Sequence, residues 1–378
     1  MHKNSRISGF LALTLAGVCA AQTACNSTAQ TTCTASVYSQ IAPCVASSTA
    51  IVLSNVYAPS NSSIDLTKVK AGTTITFAGK TTFGFTNASN FEPIKLGGSG
   101  ITITAESGAV IDGNGQAYWD GLGSNGGVPK PNHFIAASKL IDGSVIKNLY
   151  IQNWPVHLFT ISGAVGLTIQ NLVLNNTAGD APNAASGKLA AAHNSDGFDI
   201  SSSRDTIIKD TSVYNQDDCV AVTSGNNITI DGLYCSGGHG LSIGSVGGKS
   251  NNNVTNITFK NSELVNSSNG ARIKSNYNTT GFISNITYSN IKLTNIDTYG
   301  IDVQQDYLNG GPTGDPSNGV IISNVLFQNV FGTAAASARN YYVLCGSGSC
   351  SNITFSGAHI TGGATESSCN YPSTGCPA

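Results

Sequence analysis

The sequence predicts an all-β fold of the β-solenoid class, built as a single domain. A short β-branched segment recurs at intervals of roughly 20–30 residues, for example at 206–209, 228–231, 257–260 and 286–288. One strand per repeat at this period is typical of a solenoid whose parallel coils stack along one axis. The 378 residues are many for one globular core, whereas a solenoid grows along its axis and holds that length in one domain.

The composition agrees with this fold and excludes two classes of partner. The many Asn, Ser, Thr, Ile and Val residues favour strands and turns over helices. With a charged fraction of 10% and a net charge of −2, the sequence lacks the excess of basic residues that binding to nucleic acid requires. No apolar stretch reaches the length of a membrane span. We therefore expect neither nucleic acid nor a membrane as a partner.

The N-terminus predicts export. Basic residues within 2–6 precede an apolar run over 7–18, and Val18-Cys19-Ala20 fits the small-residue cleavage rule. We expect a secreted, extracellular protein. Three segments follow from this prediction: a secretory signal peptide at 1–20, a short propeptide or N-terminal segment at 21–32, and the parallel β-helix catalytic domain at 33–378.

The cysteines support an oxidising compartment. The chain has ten cysteines, of which Cys19 would leave with the signal peptide, so an odd number of nine remains. Disulfides are the default state in exported proteins, and pairs that close short loops are favoured. Cys25 is then left over, and we expect four bridges: Cys33–Cys44, Cys219–Cys235, Cys345–Cys350 and Cys369–Cys376.

Asn-x-Ser/Thr sequons recur along the chain and allow two interpretations. In an exported protein they are acceptors for N-glycosylation. Alternatively, the asparagines occupy coil turns, where they tolerate a left-handed backbone and bond to the next coil. Both interpretations stay open for the five sequons considered, at Asn227, Asn253, Asn256, Asn285 and Asn352.

The residues that carry chemistry are concentrated between 194 and 274. Asp196 and Asp217 are 21 residues apart, and Asp217 and His239 are 22 apart, which is close to the repeat. Stacked coils lie about 4.8 Å apart, so residues one coil apart in sequence become neighbours in space. We therefore expect a candidate active site formed by four motifs: Asn194-Ser195-Asp196, Asp217-Asp218, Gly238-His239-Gly240 and Arg272-Ile273-Lys274.

Clustered carboxylates suit acid–base chemistry. Ionising all of several neighbouring carboxyl groups is unfavourable because their negative charges repel, so the pKa of at least one is raised. A protonated acid and an ionised base are then available together. Glycosidic cleavage needs that combination; the alternative is a solvated acidic turn. Arg272 and Lys274 would point to one face of a strand, either to hold an anionic substrate group or to neutralise the aspartates structurally.

The four motifs together resemble the signature of the polygalacturonases of glycoside hydrolase family 28. The sequences Asn194-Ser195-Asp196-Gly197-Phe198-Asp199 and Gln216-Asp217-Asp218-Cys219 carry the resemblance with the histidine and Arg-Ile-Lys motifs, and Asp306-Tyr307 is similar to the family's tyrosine site. Ser195 departs from the pattern, which often has threonine there. The resemblance implies a right-handed parallel β-helix that cleaves α-1,4-galacturonan with inversion.

Carried over residue by residue, the resemblance implies a role for each position. Asp217 is the general acid, Asp196 and Asp218 activate the water, and His239 supports the proton balance. Asn194, Arg272, Lys274 and Tyr307 bind substrate. The implied protein is a monomeric endo-polygalacturonase acting on pectin or polygalacturonate without a metal or other cofactor.

Two other functions remain to be tested against this one. A pectate lyase on a similar β-helix would use calcium to bridge substrate carboxylates, and three clustered aspartates also resemble calcium ligands. An inactive pectin-binding β-helix protein would keep the groove without turnover. None of the matched catalytic positions is substituted, which favours hydrolysis.

Overall fold

The structure is a computed structural model that describes residues 32–309 and 311–377. The predicted export signal and Cys25 lie outside the described residues. The described part of the chain forms one compact unit of stacked parallel strands. Within it, no helix combines the length and the apolar character that crossing a membrane requires.

Two sheets of parallel strands make up the solenoid. The strands within each sheet pair with their counterparts one coil away. The eleven-stranded sheet comprises Ile64–Leu66, Ile94–Ser99, Ile135–Ile141, Phe159–Ser162, Phe198–Ser201, Val220–Val222, Leu241–Val246, Asn269–Asn276, Tyr299–Tyr307, Arg339–Leu344 and Ser368–Cys369.

The eighteen-stranded sheet covers the remaining faces of the coils. Its strands are Thr32–Ala35, Ala50–Ser54, Tyr57–Ala58, Thr74–Ala78, Lys80–Phe83, Thr102–Ala105, Val110–Asp112, Val145–Lys147, Tyr150–Gln152, Thr168–Gln170, Val173–Asn175, Ser203–Tyr214, Gly225–Ser236, Asn253–Val265, Gly281–Ile296, Val320–Ala334, Cys350–Ser356 and His359–Thr361. The helical elements are the α-helix Ile41–Ser47 and the 3-10 turns Tyr38–Gln40, Gly115–Ala117 and Thr177–Gly179.

Asparagines turn the chain from one face of the coil to the next. Asn256 and Asn285 have φ values of 57°, and the amide of Asn285 donates to Asn256 Oδ1 at 3.0 Å. Asn227 and Asn352 have φ values of 55° and 50° and also bond to the neighbouring coil. The turn interpretation is therefore confirmed for four of the five sequons, whereas Asn253 is exposed at a strand start. Glycosylation stays a prediction.

The core consists of side chains stacked in register along the axis. Phe259, Tyr288, Phe327 and Phe355 form a column with ring centroids 4.7–5.2 Å apart. Stacked rings add packing energy beyond the area they bury. The Tyr288 hydroxyl lies 2.8 Å from the carbonyl oxygen of Arg272. This column therefore supports the backbone of the strand that carries both cations of the candidate site.

All four expected disulfides are present. Cys33–Cys44 joins the first described strand to the helix Ile41–Ser47. Cys219–Cys235 ties the residue after Asp218 to the strand Gly225–Ser236 of the other sheet. The second bridge therefore braces the turn that presents the central pair of acids.

Candidate active site

Strand register brings the motif residues into one column on the eleven-stranded sheet. Phe159 pairs with Phe198, Phe198 with Val220, and Val220 with Leu241. One residue per coil therefore occupies each position in the stack. Counting two residues back along each strand gives a column of chemically active side chains: His157, Asp196, Asp218 and His239.

Three buried carboxylates meet at this column. Asp196, Asp217 and Asp218 each offer an oxygen within 4.8 Å of the others, and all are at least nine-tenths buried. Buried charges are tolerated when they are compensated. Each carboxylate here faces its own basic side chain: Asp196 lies 2.8 Å from His157 Nδ1, Asp217 lies 3.1 Å from His239 Nδ1, and Asp218 accepts from Lys274 Nζ at 2.6 Å.

Asp217 is the central acid of the three. Its Oδ1 accepts the backbone N–H of Asp218 at 2.7 Å, and its Oδ2 accepts the amide of Asn194 at 3.1 Å. Burial alone would raise the pKa of Asp217, but the charge and hydrogen bond of His239 and the charge of Lys274 lower it well below its usual range. The same contact raises the pKa of His239 against its burial. Asp217 is thus ionised beside a protonated histidine.

Asp196 has the opposite bias. Burial, followed by the charges of Asp217 and Asp199, raises its pKa well above the usual range, and His157 opposes this shift. Of Asp196 and Asp217, it is therefore Asp196 that carries a proton before substrate binds. The motif, in contrast, assigns the role of proton donor to Asp217. Proton donation by Asp217 then requires a proton passed from His239.

Asp218 contacts the strand Asn269–Asn276, which carries both cations of the site. Its Oδ1 accepts the Ser242 hydroxyl at 2.7 Å, and Lys274 bonds to its Oδ2. Arg272 places one terminal nitrogen 3.9 Å from Asp218 and its Nε 3.3 Å from the buried Asp302. Both cations do face the same side of their strand, as their alternation predicts, and both neutralise protein carboxylates.

The two cations also face Tyr307. Lys274 Nζ lies 5.2 Å and the Arg272 guanidinium carbon 5.7 Å from the centroid of its ring. Cations within about 6 Å of an aromatic face are attracted by its electrons. At one end of the cavity, these three side chains therefore place two positive charges beside an aromatic ring, an arrangement suited to an anionic group.

Asn194 connects the central acid to a surface loop. Its Oδ1 accepts from the backbone N–H and the hydroxyl of Ser124, both at 3.1 Å, and from the amide of Asn125 at 3.3 Å. These donors orient the amide so that its Nδ2 points at Asp217. Gly123 lets the loop approach, because a Cβ there would lie 2.5 Å from Asn194 Oδ1.

A single cavity of about 510 Å³ opens over these groups. All the site residues predicted from the sequence line it: Asn194, Asp196, Asp217, Asp218, His239, Arg272, Lys274 and Tyr307. Sequence reasoning missed His157 and Asp199, which also line it, and the supporting Ser242 and Asp302. His157 precedes its strand by the same two residues as Asp196, so aligning the coils would have found it.

The acid cluster has the oxygen ligands that calcium prefers, and the described residues also group His157 with Asp196 and Asp199. The basic partners of the three acids occupy the positions from which a cation would bind. A bound calcium ion would have to displace or repel these cations. The arrangement therefore fits proton transfer better than metal binding.

Comparison with known proteins agrees with this geometry. The chain is 60% identical to the probable endopolygalacturonase D of Emericella nidulans over 92% of its length and 67% of that protein. It is 59% identical to a polygalacturonase of Fusarium fujikuroi, over 91% of this chain and 93% of that one.

A solved structure shows the same architecture. Endopolygalacturonase I from Stereum purpureum, complexed with two galacturonates, superposes with a TM-score of 0.78 at 29% identity, over 89% of this chain and 96% of that one. This likeness confirms the right-handed parallel β-helix. The profile of the glycosyl hydrolases family 28 matches residues 48–378. The chain therefore belongs to family 28 of the glycosyl hydrolases.

Proposed function

We propose that the protein is a secreted endo-polygalacturonase that hydrolyses α-1,4-galacturonosyl linkages in polygalacturonate and pectin. The observation that carries the proposal is the set of three buried carboxylates, each beside its own basic group, in one cavity with a cationic end. The names of the relatives described above support the same substrate and internal cleavage.

Asp217 acts as the general acid in this proposal. The proton shared between His239 and Asp217 moves to the carboxylate and then to the glycosidic oxygen as its bond to the anomeric carbon breaks. The 3.1 Å separation of His239 Nδ1 and Asp217 Oδ1 supports the first transfer. Asn194 keeps the other carboxylate oxygen in place.

Asp196 and Asp218 activate the water. Their oxygens are close enough for one water to contact both, and the water proton passes to a carboxylate as its oxygen attacks the anomeric carbon. Asp218 accepts a hydrogen bond from Lys274, while Asp196, once ionised, is a strong base because its pKa is raised. Attack by water from the face opposite the leaving group inverts the anomeric configuration.

The anomeric configuration of the first product tests whether the reaction proceeds with inversion. The distance of 4.8 Å is an upper limit between one oxygen each of Asp196, Asp217 and Asp218. The roughly 6.5–9.5 Å typical of inverting enzymes is measured between the two carboxyl groups as a whole. Proton NMR of the first product from a defined oligogalacturonide should show the inverted anomer, and a chelator should leave the rate unchanged. A retained anomer contradicts the mechanism, and an unsaturated product that disappears with chelator supports the calcium-dependent lyase instead.

Arg272, Lys274 and Tyr307 bind the substrate carboxylate in this proposal, together with Asn194. Their cationic end of the cavity supports the assignment. Arg272→Ala should weaken binding of the free acid by about 1.5–3 kcal/mol, the range for a hydrogen bond to a charged group. It should also abolish the preference for free over methyl-esterified oligogalacturonides. The exposed Arg204→Ala is the control and should keep the wild-type preference. If Arg272→Ala also keeps the preference for the free acid, Arg272 does not recognise the substrate carboxylate.

Polygalacturonic acid is the substrate that tests the activity. We expect viscosity to fall well before reducing ends accumulate, since internal cuts shorten chains fastest. Parallel loss of viscosity and gain of ends would indicate attack from chain ends. Binding without turnover would support the inactive pectin-binding protein.

The export and assembly of the protein are further proposals. We propose that residues 1–20 are removed as a signal peptide, that 21–32 form a short propeptide or N-terminal segment, and that the enzyme is an extracellular monomer. N-terminal sequencing of the protein from culture medium tests the first two, because a start at 1 contradicts them. Light scattering during gel filtration tests the third against the mass of one chain.

A further inference from the structure

The two coils before Asp196 carry a histidine pair that no motif contains. Ile135 pairs with Phe159 and Phe159 with Phe198. His133 and His157 therefore extend the column of Asp196 by two coils on its N-terminal side. Their rings lie 5.2 Å apart.

The contacts of His157 converge on the proposed base. Its Nδ1 lies 2.8 Å from Asp196 Oδ1 and 3.7 Å from Asp199 Oδ2. His133 Nε2 lies 3.2 Å from the same oxygen of Asp199. The side chain of Asp196 is 9% exposed and that of His157 is 23% exposed. Asp196 thus has a partly buried partner that is neither a motif residue nor part of the proposed proton donor.

We propose that His157 is a positioning residue of the reaction, whose imidazolium bonds to Asp196, opposes the protonation of this carboxylate and orients it toward the attacking water. This inference rests on the proposed function and deepens it. The corresponding contact at the proposed acid is that of His239 with Asp217, so two histidines three coils apart serve opposite proton transfers.

The charges around the pair give the direction of its effect. Burial alone would lower the pKa of His157, but the charge and hydrogen bond of Asp196 and the charge of Asp199 raise it well above its usual range. The imidazole is thus a cation at acidic and neutral pH, and its charge favours the ionised form of Asp196. The titratable groups facing the pair are Asp199, Asp217, Asp218, His133 and His193.

Replacement of His157 should therefore move the acidic limb of the pH profile. Without the cation, the pKa of Asp196 rises further, so a higher pH is needed to ionise the base. In His157→Met, the acidic limb of kcat/KM should move to higher pH by about one to three units, and KM at the new optimum should stay close to that of the wild type. His157→Gln keeps a donor without the charge and should shift the limb less.

The exposed His359→Gln serves as the matched control and should keep the wild-type profile. A His157→Met enzyme whose acidic limb is unchanged overturns the proposal, and so does one in which only KM rises, because His157 would then bind substrate. An equal shift in the Met and Gln variants supports the proposal and assigns the effect to the charge.

A second measurement uses the wild-type protein and does not depend on how the variants fold. In an NMR titration of labelled histidines, the His157 ring, identified by its contact with His133, should remain protonated at least about one unit above the usual 6.5. Titration near 6.5 overturns the proposal. If the wild-type protein fails to cleave polygalacturonate, the proposed function fails, and this titration still tests the histidine–aspartate pair.

Discussion

The two sides of Asp217 compensate buried charge in different ways. On the N-terminal side, Asp196 faces the imidazole of His157, and burial with neighbouring acids raises the pKa of this carboxylate. On the C-terminal side, Asp218 faces Lys274, which stays charged across the working range. The pKa values of Asp196 and Asp217 are moved apart, because burial and neighbouring acids raise that of Asp196 and His239 lowers that of Asp217 against its burial. Such separation is what an acid and a base in one cavity require.

Asp217→Asn alters the acid that lies between the two sides and should have the largest effect. The amide keeps the shape of the side chain but has no proton to donate, and loss of general acid catalysis costs about 10²–10⁴-fold in kcat. Oligogalacturonide binding should be retained. The control is Asp210→Asn, at an exposed left-handed turn that asparagine also accepts. Near-normal turnover by folded Asp217→Asn, measured as reducing ends, contradicts the assignment.

Lys274→Ala removes the constant charge of the C-terminal side. Asp218 would be left buried with Arg272 as its remaining cation at 3.9 Å. Breaking a buried ion pair costs roughly 3–5 kcal/mol, so the free energy of unfolding and kcat should both fall. Lys292→Ala breaks an exposed pair with Glu263 and should cost at most about 1 kcal/mol. Equal stability of the two variants in denaturant unfolding would show that Lys274 does not compensate Asp218.

Gly123→Ala perturbs the N-terminal side through the amide of Asn194. A Cβ would lie 2.5 Å from Asn194 Oδ1, so the loop must retreat and the amide loses its fixed orientation toward Asp217. We expect kcat/KM to fall about tenfold or more through misplacement of the acid. Gly187→Ala is the matched control, since its φ of 65° imposes similar backbone strain but its Cβ meets open space. Equal activity of both variants rules out the role of the loop.

Ser195→Thr should have the smallest effect. The buried Ser195 hydroxyl donates to Gln216 Oε1 at 2.7 Å and accepts from the Gln216 backbone at 2.8 Å. Threonine keeps this hydroxyl, and we expect unchanged kcat and a smaller loss of stability than in Ser195→Ala. Ser195→Ala leaves the buried backbone N–H of Gln216 without its acceptor and should cost about 1–3 kcal/mol. A Thr variant as unstable as the Ala variant would show that the site is too tightly packed for the methyl group.

The coiled architecture and the motif residues of the site can be predicted from the amino-acid sequence. The recurring β-branched segments predicted stacked strands, because one short strand per repeat cannot bury its apolar face alone. The cysteine pairs that close short loops are the bridges the structure contains. The spacing of Asp196, Asp217 and His239 predicted their meeting, since each interval is about one coil.

The side chains that complete the site are identified by how the coils stack. His157 lies 39 residues before Asp196, and Lys274 lies 56 residues after its partner Asp218. Coils of unequal length separate these residues, so register between strands, rather than spacing along the chain, places them together. A slip of one residue would turn each side chain to the other face of its sheet. The proton balance follows from the same cause, because burial and neighbouring charge exist only once the coils are stacked.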